Sequence, residues 1–304
     1  MKTFLGYLVL YLKGFCMGTA DLIPGVSGGT IALLVGIYER LVGNIGAIAQ
    51  PENLRLLRRL RLGAYFRVVG GGFLLAVVLG ILSAVFVLAP LVRYLLATYP
   101  VRVDSFFFGL MLATVWVVGR KVRQWHIGYV LLGLVGVALG LLLNFGTPIA
   151  GGDSYLAFFG AGFIGVCAMI LPGISGSFIL ILLGMYARVL QLVVALDIPH
   201  LAVFALGAVV GLLSFSRLLS WLFVRFEAGM LALLTGFILG AMVRLWPWKT
   251  IGEGGDGYAL QLLTPESYAH AHGSGHVGWA VLFFLLGLTV VALLEWGGGR
   301  KTAR

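Results

Sequence analysis

The sequence predicts an all-α polytopic membrane protein made of two inverted-topology repeats, each a re-entrant broken-helix hairpin followed by three transmembrane helices. Three observations predict this fold class: the composition, an internal duplication and the distribution of basic residues. Of the 304 residues, 61% are hydrophobic and only 11% are charged, whereas an average soluble domain has about 25% charged residues. This composition excludes a soluble enzyme. The 45 glycines are expected either to let helices pack closely or to break them.

The duplication is centred on a Pro-Gly pair that occurs twice. The segment GFCMGTADLIPGVSGGTIALLVGIYERLV begins at Gly14, and the segment GFIGVCAMILPGISGSFILILLGMYARVL begins at Gly162. Identical residues recur in them at the same spacing, among them the pairs Pro24 and Pro172, Gly25 and Gly173, Ser27 and Ser175, Gly28 and Gly176, Gly36 and Gly184, Tyr38 and Tyr186, and Arg40 and Arg188. Shorter matches follow in the same order, as expected for a duplication. We therefore divide the chain into a first repeat, residues 1–150, and a second repeat, residues 151–304.

Each repeat begins with an apolar stretch that is interrupted at the Pro-Gly pair. These stretches, residues 4–42 and 157–190, are the predicted hairpins. Three apolar spans follow each hairpin, at about 69–92, 105–119 and 127–145 in the first repeat and at about 200–223, 229–246 and 277–296 in the second. The spans have no polar face, and most approach the ~20 residues that a helix needs to cross a bilayer. We expect each of them to be a transmembrane helix.

The basic residues indicate the orientation of these spans. Arginines and lysines cluster in the connections 46–67 and 120–126 and in the C-terminal tail, whereas the loops 146–156 and 247–276 have few of them. By the positive-inside rule, the basic segments and both termini are cytoplasmic, and the two loops with few basic residues lie outside. The connection 93–103, predicted to lie outside, departs from the rule because it carries Arg93 and Arg102.

This orientation requires each interrupted stretch to enter and leave the membrane on the same side. Each repeat then has an odd number of crossings, so the second repeat is inverted relative to the first, as in many transporters. The alternative is that residues 4–42 cross the membrane fully. A full crossing would place either the N-terminus or the arginine-rich connection on the wrong side.

The two helix breaks are the candidate binding site. Proline lacks a backbone donor and glycine permits positive φ, and unpaired backbone groups in hydrocarbon cost several kcal/mol. Such breaks persist only against protein or a water-filled cavity, and the helix that begins after each break presents N–H groups to an anion. The predicted anion site consists of Gly25, Ser27, Gly28, Gly29, Thr30, Gly173, Ser175, Gly176 and Ser177, with Pro24 and Pro172 as the helix breakers. The alternative is a serine-capped turn that binds no ligand.

Four charged residues near the breaks are further candidates. Arg40 and Arg188 occupy equivalent positions after the breaks, where they are either counter-charges for a phosphate or interfacial arginines. Asp21 and Glu39 occur only in the first repeat, and carboxylates within a membrane are candidates for coupling to H⁺ or Na⁺. Alternatively, Asp21 caps the broken helix or forms a salt bridge, and Glu39 pairs locally with Arg40.

Several other ligand classes are not expected. No Gly-Lys-Ser/Thr follows the breaks, so they are not nucleotide-binding loops. No motif for nucleic-acid recognition accompanies the formal charge of +10, and the histidines do not have metal-ligand spacing. We expect no metal, no cofactor and no nucleic-acid partner, and the sequence leaves the oligomeric state open.

The paired motifs MGTADLIPGVSGGTIALLVGIYERLV and CAMILPGISGSFILILLGMYARVL resemble a bacterial family of polyprenyl-phosphate (undecaprenyl-phosphate) translocases, formerly a family of unknown function. The resemblance implies a flippase that returns this lipid carrier of cell-wall biogenesis from the outer to the cytoplasmic leaflet of the inner membrane. It also implies that the break residues named above hold the phosphate head group. Ala187 follows Tyr186 where the family pattern often has an acid, so we expect no carboxylate function there.

The alternative function is a transporter of a small soluble anion or ion. A membrane enzyme such as a lipid phosphatase is not expected, because the sequence offers no His-Arg-Asp constellation and no nucleophile paired with a base. The resemblance to the translocase family implies polyprenyl phosphate as the partner within the membrane.

Overall fold

A computed structural model describes residues 4–23, 25–146, 151–252 and 259–299. The first half forms the helices α1 (Phe4–Asp21), α2 (Gly28–Leu34), α3 (Tyr38–Ile48), α4 (Pro51–Arg58), α5 (Leu62–Val68), α6 (Gly71–Thr98), α7 (Pro100–Gly119) and α8 (Ile127–Phe145). The second half forms α9 (Tyr155–Ile170), α10 (Gly176–Leu182), α11 (Tyr186–Ala195), α12 (Ile198–Ala241), a 3₁₀ turn (Met242–Leu245), the strands β1 (Lys249–Gly252) and β2 (Ala259–Leu262), α13 (Pro265–His272) and α14 (Val277–Gly299).

The helices confirm a polytopic, almost entirely helical membrane protein. Within the described residues, five helices are long and apolar enough to cross a membrane, and the number rises to seven if each of two bent helix pairs is one span. The five are α6, α7, α8, α12 continued through the 3₁₀ turn, and α14. The predicted span 127–145 coincides with α8, α7 begins five residues before its predicted start, and α6 continues to Thr98.

The predicted spans 200–223 and 229–246 are not separated by a loop. They lie in α12, which consists of two helices that meet at a kink at Phe226, where φ is −137° and ψ is 41°. Residues 224–228 contain no proline or glycine, so neither residue type produces this kink. A 44-residue helix has a contour of about 66 Å, twice the ~30 Å hydrocarbon thickness, and its two parts fit two crossings.

The duplicated motif takes the same local structure twice. The helices α2 and α10 have seven residues each and begin at Gly28 and Gly176, as the sequence predicts. Each is bent sharply against the helix that follows, by 119° between α2 and α3 and by 104° between α10 and α11. Positive φ angles recur at matched glycines, 90° at Gly25 and 91° at Gly173. Only glycine adopts these angles readily, which explains why the motif keeps glycine there.

The chain folds as two compact units, and neither of them is a single predicted repeat. The first unit consists of Met1–Leu88 and Ile149–Glu227, and the second consists of Ala89–Pro148 and Ala228–Arg304. Each unit therefore combines a segment of the first repeat with a segment of the second. The first unit contains both hairpins.

The loop 247–276, expected as a simple connection, contains regular structure. In it β1 pairs antiparallel with β2, with Lys249 opposite Leu262, and α13 follows. The indole of Trp248 donates a hydrogen bond of 2.6 Å to the carbonyl of Gly275, and Trp248 packs in a buried cluster with Val101, Tyr268 and Ala280. We call residues 246–252 and 259–276 the cap, and these contacts hold it on the second unit.

Candidate functional site

The first break is closed by the protein's own side chains. The Gly28 amide donates a 2.6 Å hydrogen bond to the Asp21 carboxylate at the end of α1. Ser27 is the N-cap of α2, and its hydroxyl accepts a 3.1 Å hydrogen bond from the Gly29 amide. The carboxylate of Asp21 therefore caps the broken helix, which is one of its two predicted roles. Pro24 lies outside the described residues.

The two breaks are in direct contact with each other. The Ser27 hydroxyl donates to the Leu171 carbonyl at 3.2 Å, and the Gly173 amide donates to the Thr30 hydroxyl at 2.7 Å. Ser27 and Thr30 are only 1% and 0% exposed. Backbone groups that the second break leaves without helical partners are thus satisfied by hydroxyls of the first, as burial demands.

Close approach at this contact depends on Gly29. A Cβ atom at Gly29 would lie 2.7 Å from the carbonyl oxygen of Ile170, which is closer than van der Waals contact permits. The same carbonyl accepts a 3.1 Å hydrogen bond from the hydroxyl of Tyr38, a residue that is 2% exposed. Sequence analysis did not include Tyr38 in the site, although its recurrence as Tyr186 was a signal that it had a role.

The second break is more open than the first. Its turn residues Pro172 and Gly173 are buried, but Ser177 is exposed and Ser175 is half-buried. Ser175 is the N-cap of α10 without a side-chain capping bond. Its hydroxyl instead lies 2.8 Å from that of Ser177. The second break therefore presents two adjacent hydroxyls at the start of α10, beside the small residue Gly176.

The matched arginines, Arg40 and Arg188, contact side chains outside the two breaks. The Arg40 guanidinium stacks over the ring of Phe73, 4.2 Å from its centroid. Arg188 forms an ion pair with Asp153. Within the described residues, neither arginine shares a hydrogen bond with Ser27, Thr30, Ser175 or Ser177. Both are held near the surface of the first unit by these contacts.

Two other charged side chains, those of Glu39 and Lys13, lie in the first hairpin. Glu39 is exposed in the first turn of α3, where a carboxylate interacts favourably with the helix dipole. The Lys13 ammonium donates a 2.6 Å hydrogen bond to the Val35 carbonyl, just beyond the end of α2. The short helix α2 is therefore fixed at its start by Asp21 and at its end by Lys13, a contact that sequence analysis did not identify.

Taken together, the breaks form a donor-rich site within an apolar surround. Hydroxyl and amide groups are suitable donors for the oxygens of a phosphate. Among the described residues, no group of three or more His, Cys, Asp or Glu side chains is placed to hold a metal ion. The donors of the first break are already bonded within the protein, and the Ser175 and Ser177 hydroxyls of the second break remain accessible.

Known proteins similar to this chain were identified by sequence comparison. The undecaprenyl phosphate translocase-like family matches residues 17–256, which include both breaks. A protein of Vibrio cholerae named polyprenyl-phosphate transporter is 43% identical over 245 residues, covering 81% of this chain and 79% of the relative. A Staphylococcus aureus protein of the same name is 32% identical over 255 residues, covering 78% of this chain and 85% of the relative. No solved structure matches the chain.

Proposed function

Because the chain belongs to the undecaprenyl phosphate translocase-like family, we propose that it carries undecaprenyl phosphate, or a related polyprenyl phosphate, from the outer to the cytoplasmic leaflet of the bacterial inner membrane. The names of two relatives support transport of a polyprenyl phosphate and not an enzymatic reaction. The observation that carries the site assignment is the direct contact between the two helix breaks.

The phosphate head group binds at the second break in this conformation. The hydroxyls of Ser175 and Ser177 are accessible there, and the missing side chain of Gly176 lets α10 approach Gly165 and Met169 of α9. An anion does not cross ~30 Å of hydrocarbon unshielded. Protein donors replace the water around the phosphate, while the prenyl tail stays in lipid.

The two hairpins act as alternating half-sites in inverted repeats. Two observations support this proposal. The geometry of α2 matches that of α10, and the first break is closed whereas the second is open. In the opposite conformation, the first break opens and the second closes. Such an exchange exposes the head group to one side of the membrane at a time. The basic segments, including both termini, face the cytoplasm.

Asp21 couples this exchange to an ion. Its carboxylate accepts the hydrogen bond of the Gly28 amide. A phosphate needs the same kind of donor, so Asp21 and the head group compete for this amide. Protonation of Asp21 weakens its hold on the amide and frees the first break for the phosphate. Glu39 is exposed outside the contact between the breaks, so it is the weaker candidate for coupling.

The test removes the accessible hydroxyls with the double variant Ser175→Ala/Ser177→Ala. We expect at least tenfold weaker binding of undecaprenyl phosphate in native mass spectrometry, and slow transport of a fluorescent polyprenyl phosphate in proteoliposomes. Ser83→Ala is the matched control, because the exposed Ser83 hydroxyl bonds only to the Leu79 carbonyl of its own helix. Binding and transport of the double variant at the level of the control would refute the site assignment.

A further inference from the structure

We infer that the second unit contains a separate site for a phosphate group, in a cavity at the junction of α6 and α7. The cavity has a volume of about 300 Å³. Residues 97–102 line one side of it, and Tyr268, His272 and His276 of the cap line the other. The site rests on the proposed function in one respect: the lipid that it collects from the outer leaflet is the transported polyprenyl phosphate.

Arg102 supplies the fixed positive charge of this site. Its guanidinium carbon lies 4.3 Å from the ring centroid of Tyr99 and 4.3 Å from that of Trp279. Stacking on aromatic faces holds a guanidinium in place and leaves its N–H donors at the edge free to bind an anion in a bidentate manner. Among the described residues, Arg102 forms no ion pair with a carboxylate. Its charge is therefore oriented but not neutralised.

The cap adds two imidazoles to the cavity. His272 stacks on Tyr268 with ring centroids 4.1 Å apart, and its Nδ1 lies 3.2 Å from the Tyr268 carbonyl oxygen. His276 has a left-handed backbone, with φ of 47°, which is uncommon for a residue with a side chain.

The acidic residue nearest to Arg102 in the sequence, Asp104, does not oppose an anion. Asp104 lies one half-turn along α7 from Arg102, and its carboxylate pairs with the Lys249 ammonium of β1 at 2.6 Å. Arg244 also lies close enough to interact electrostatically with Asp104. With Arg102 included, the local charge is positive.

The walls of the cavity are firmly built. The ion pair between Asp104 and Lys249, whose side chains are 10% and 12% exposed, attaches β1 to α7. The indole of Trp246, just before β1, donates a 2.9 Å hydrogen bond to the carbonyl of Leu263, just after β2. This bond holds the outer ends of the two paired strands together. Because Val101 and Tyr268 belong to one buried cluster, both sides of the cavity are fixed in the same packing unit. Preorganised donors of this kind favour binding of an anion.

The location explains an anomaly of the charge distribution. The connection 93–103 is predicted to lie outside, yet it carries Arg102, against the positive-inside rule. An anion site on the outer side accounts for that arginine. Tyr99 and Trp279 are side chains of the type that lie at the membrane interface, the depth at which a lipid phosphate resides.

The test compares Arg102→Gln with Arg93→Gln in the full chain, reconstituted in phosphatidylcholine nanodiscs. Arg93 is the matched control because it is exposed near the end of α6 and does not line the cavity. The probes are undecaprenyl phosphate and inorganic phosphate, with bound lipids counted by native mass spectrometry. We expect the wild type to bind two lipids and Arg102→Gln to bind the one at this cavity at least tenfold more weakly. Arg93→Gln and Ser175→Ala/Ser177→Ala should keep the lipid at this cavity.

Competition by inorganic phosphate would support a site for phosphate groups in general, and absence of competition would support one restricted to lipid phosphate. Wild-type affinity for both probes in Arg102→Gln would overturn the inference. If Arg102→Gln does not fold, the double variant His272→Gln/His276→Gln takes its place. We expect the same loss of affinity for the lipid at this cavity. Failure of the proposed transport would appear as inactive wild-type proteoliposomes, whereas the difference between Arg102→Gln and Arg93→Gln is measured by binding alone.

Discussion

At the scale of single residues, the duplicated motif differs most where its two copies have unlike side chains. Asp21 has Met169 as its repeat partner, and only the first break has a carboxylate on the amide that starts its short helix. The sequence alone identified this asymmetry and offered two roles for Asp21, as a cap or as an ion-coupling group. The capping bond is observed, and the coupling role has a direct test.

Asp21→Asn and Asp21→Ala separate these two roles. Asparagine keeps an oxygen that accepts from the Gly28 amide but cannot exchange a proton, whereas alanine removes the cap, which costs about 0.5–2 kcal/mol of stability. We expect Asp21→Asn to melt like the wild type and to lose the response of transport to an imposed pH gradient. Asp21→Ala should lose both properties. A wild-type response to the gradient in Asp21→Asn would leave Asp21 as a cap only.

Tyr38 is the second residue with a testable contribution. Removing its hydroxyl in Tyr38→Phe leaves the buried end of the hydrogen bond to Ile170 unsatisfied, and we expect a loss of about 0.5–1.5 kcal/mol. The repeat partner Tyr186 is 37% exposed, so Tyr186→Phe is the matched control and should change stability little. The measurement is thermal unfolding in detergent, and equal melting temperatures of the two variants would contradict the assigned contact.

At the scale of elements, long apolar runs were predictable and short polar segments were not. The boundaries of α8 follow from the sequence because apolar residues end abruptly at both ends. The cap strands are four residues long, too short for a periodic pattern to distinguish them from a loop. The sequence predicts that the two half-helices, entering from opposite faces, meet near the midplane around one anion, but it does not predict the bond between Ser27 and Leu171. The motif indicates which backbone groups lack local partners, but not that those partners lie 144 residues away in the chain.

The packing of α2 on the second break predicts the effect of Gly29→Ala. Its added methyl would lie 2.7 Å from the Ile170 carbonyl oxygen, so the breaks must separate, and we expect clear destabilisation with loss of transport. Gly160→Ala in α9 is the control, because a Cβ there meets nothing within 4 Å. Alanine in a helix is favoured over glycine by about 0.5–1 kcal/mol. Normal transport by Gly29→Ala would show that the observed closeness of the breaks is not required.

At the scale of the whole molecule, the repeats of the sequence and the compact units of the structure divide the chain differently. The junctions between the units fall within α6 and α12, so each repeat contributes to both units. Sequence comparison of the two halves predicts a duplication, but it does not indicate which pieces pack together. That depends on contacts between distant segments, such as those between the two breaks.

The inverted orientation predicts labelling of single cysteines in intact cells. With Cys16 and Cys167 replaced by alanine, Arg58→Cys after the first hairpin should be protected from a membrane-impermeant maleimide. Leu196→Cys after the second hairpin should react, as should the control Ser267→Cys in the exposed part of α13. Labelling of Arg58→Cys and Leu196→Cys from the same side would contradict the inversion of the repeats.

The bonds that join the two breaks also have a consequence for how the protein is made. Ser27 and Thr30 bond to Leu171 and Gly173, which emerge from the ribosome well over a hundred residues later. At 5–20 residues per second, the first hairpin waits on the order of ten seconds for the segment that completes it. During that interval its buried hydroxyls must be satisfied by water, lipid head groups or the insertion machinery. We expect this hairpin to settle into the membrane only after the second break has arrived.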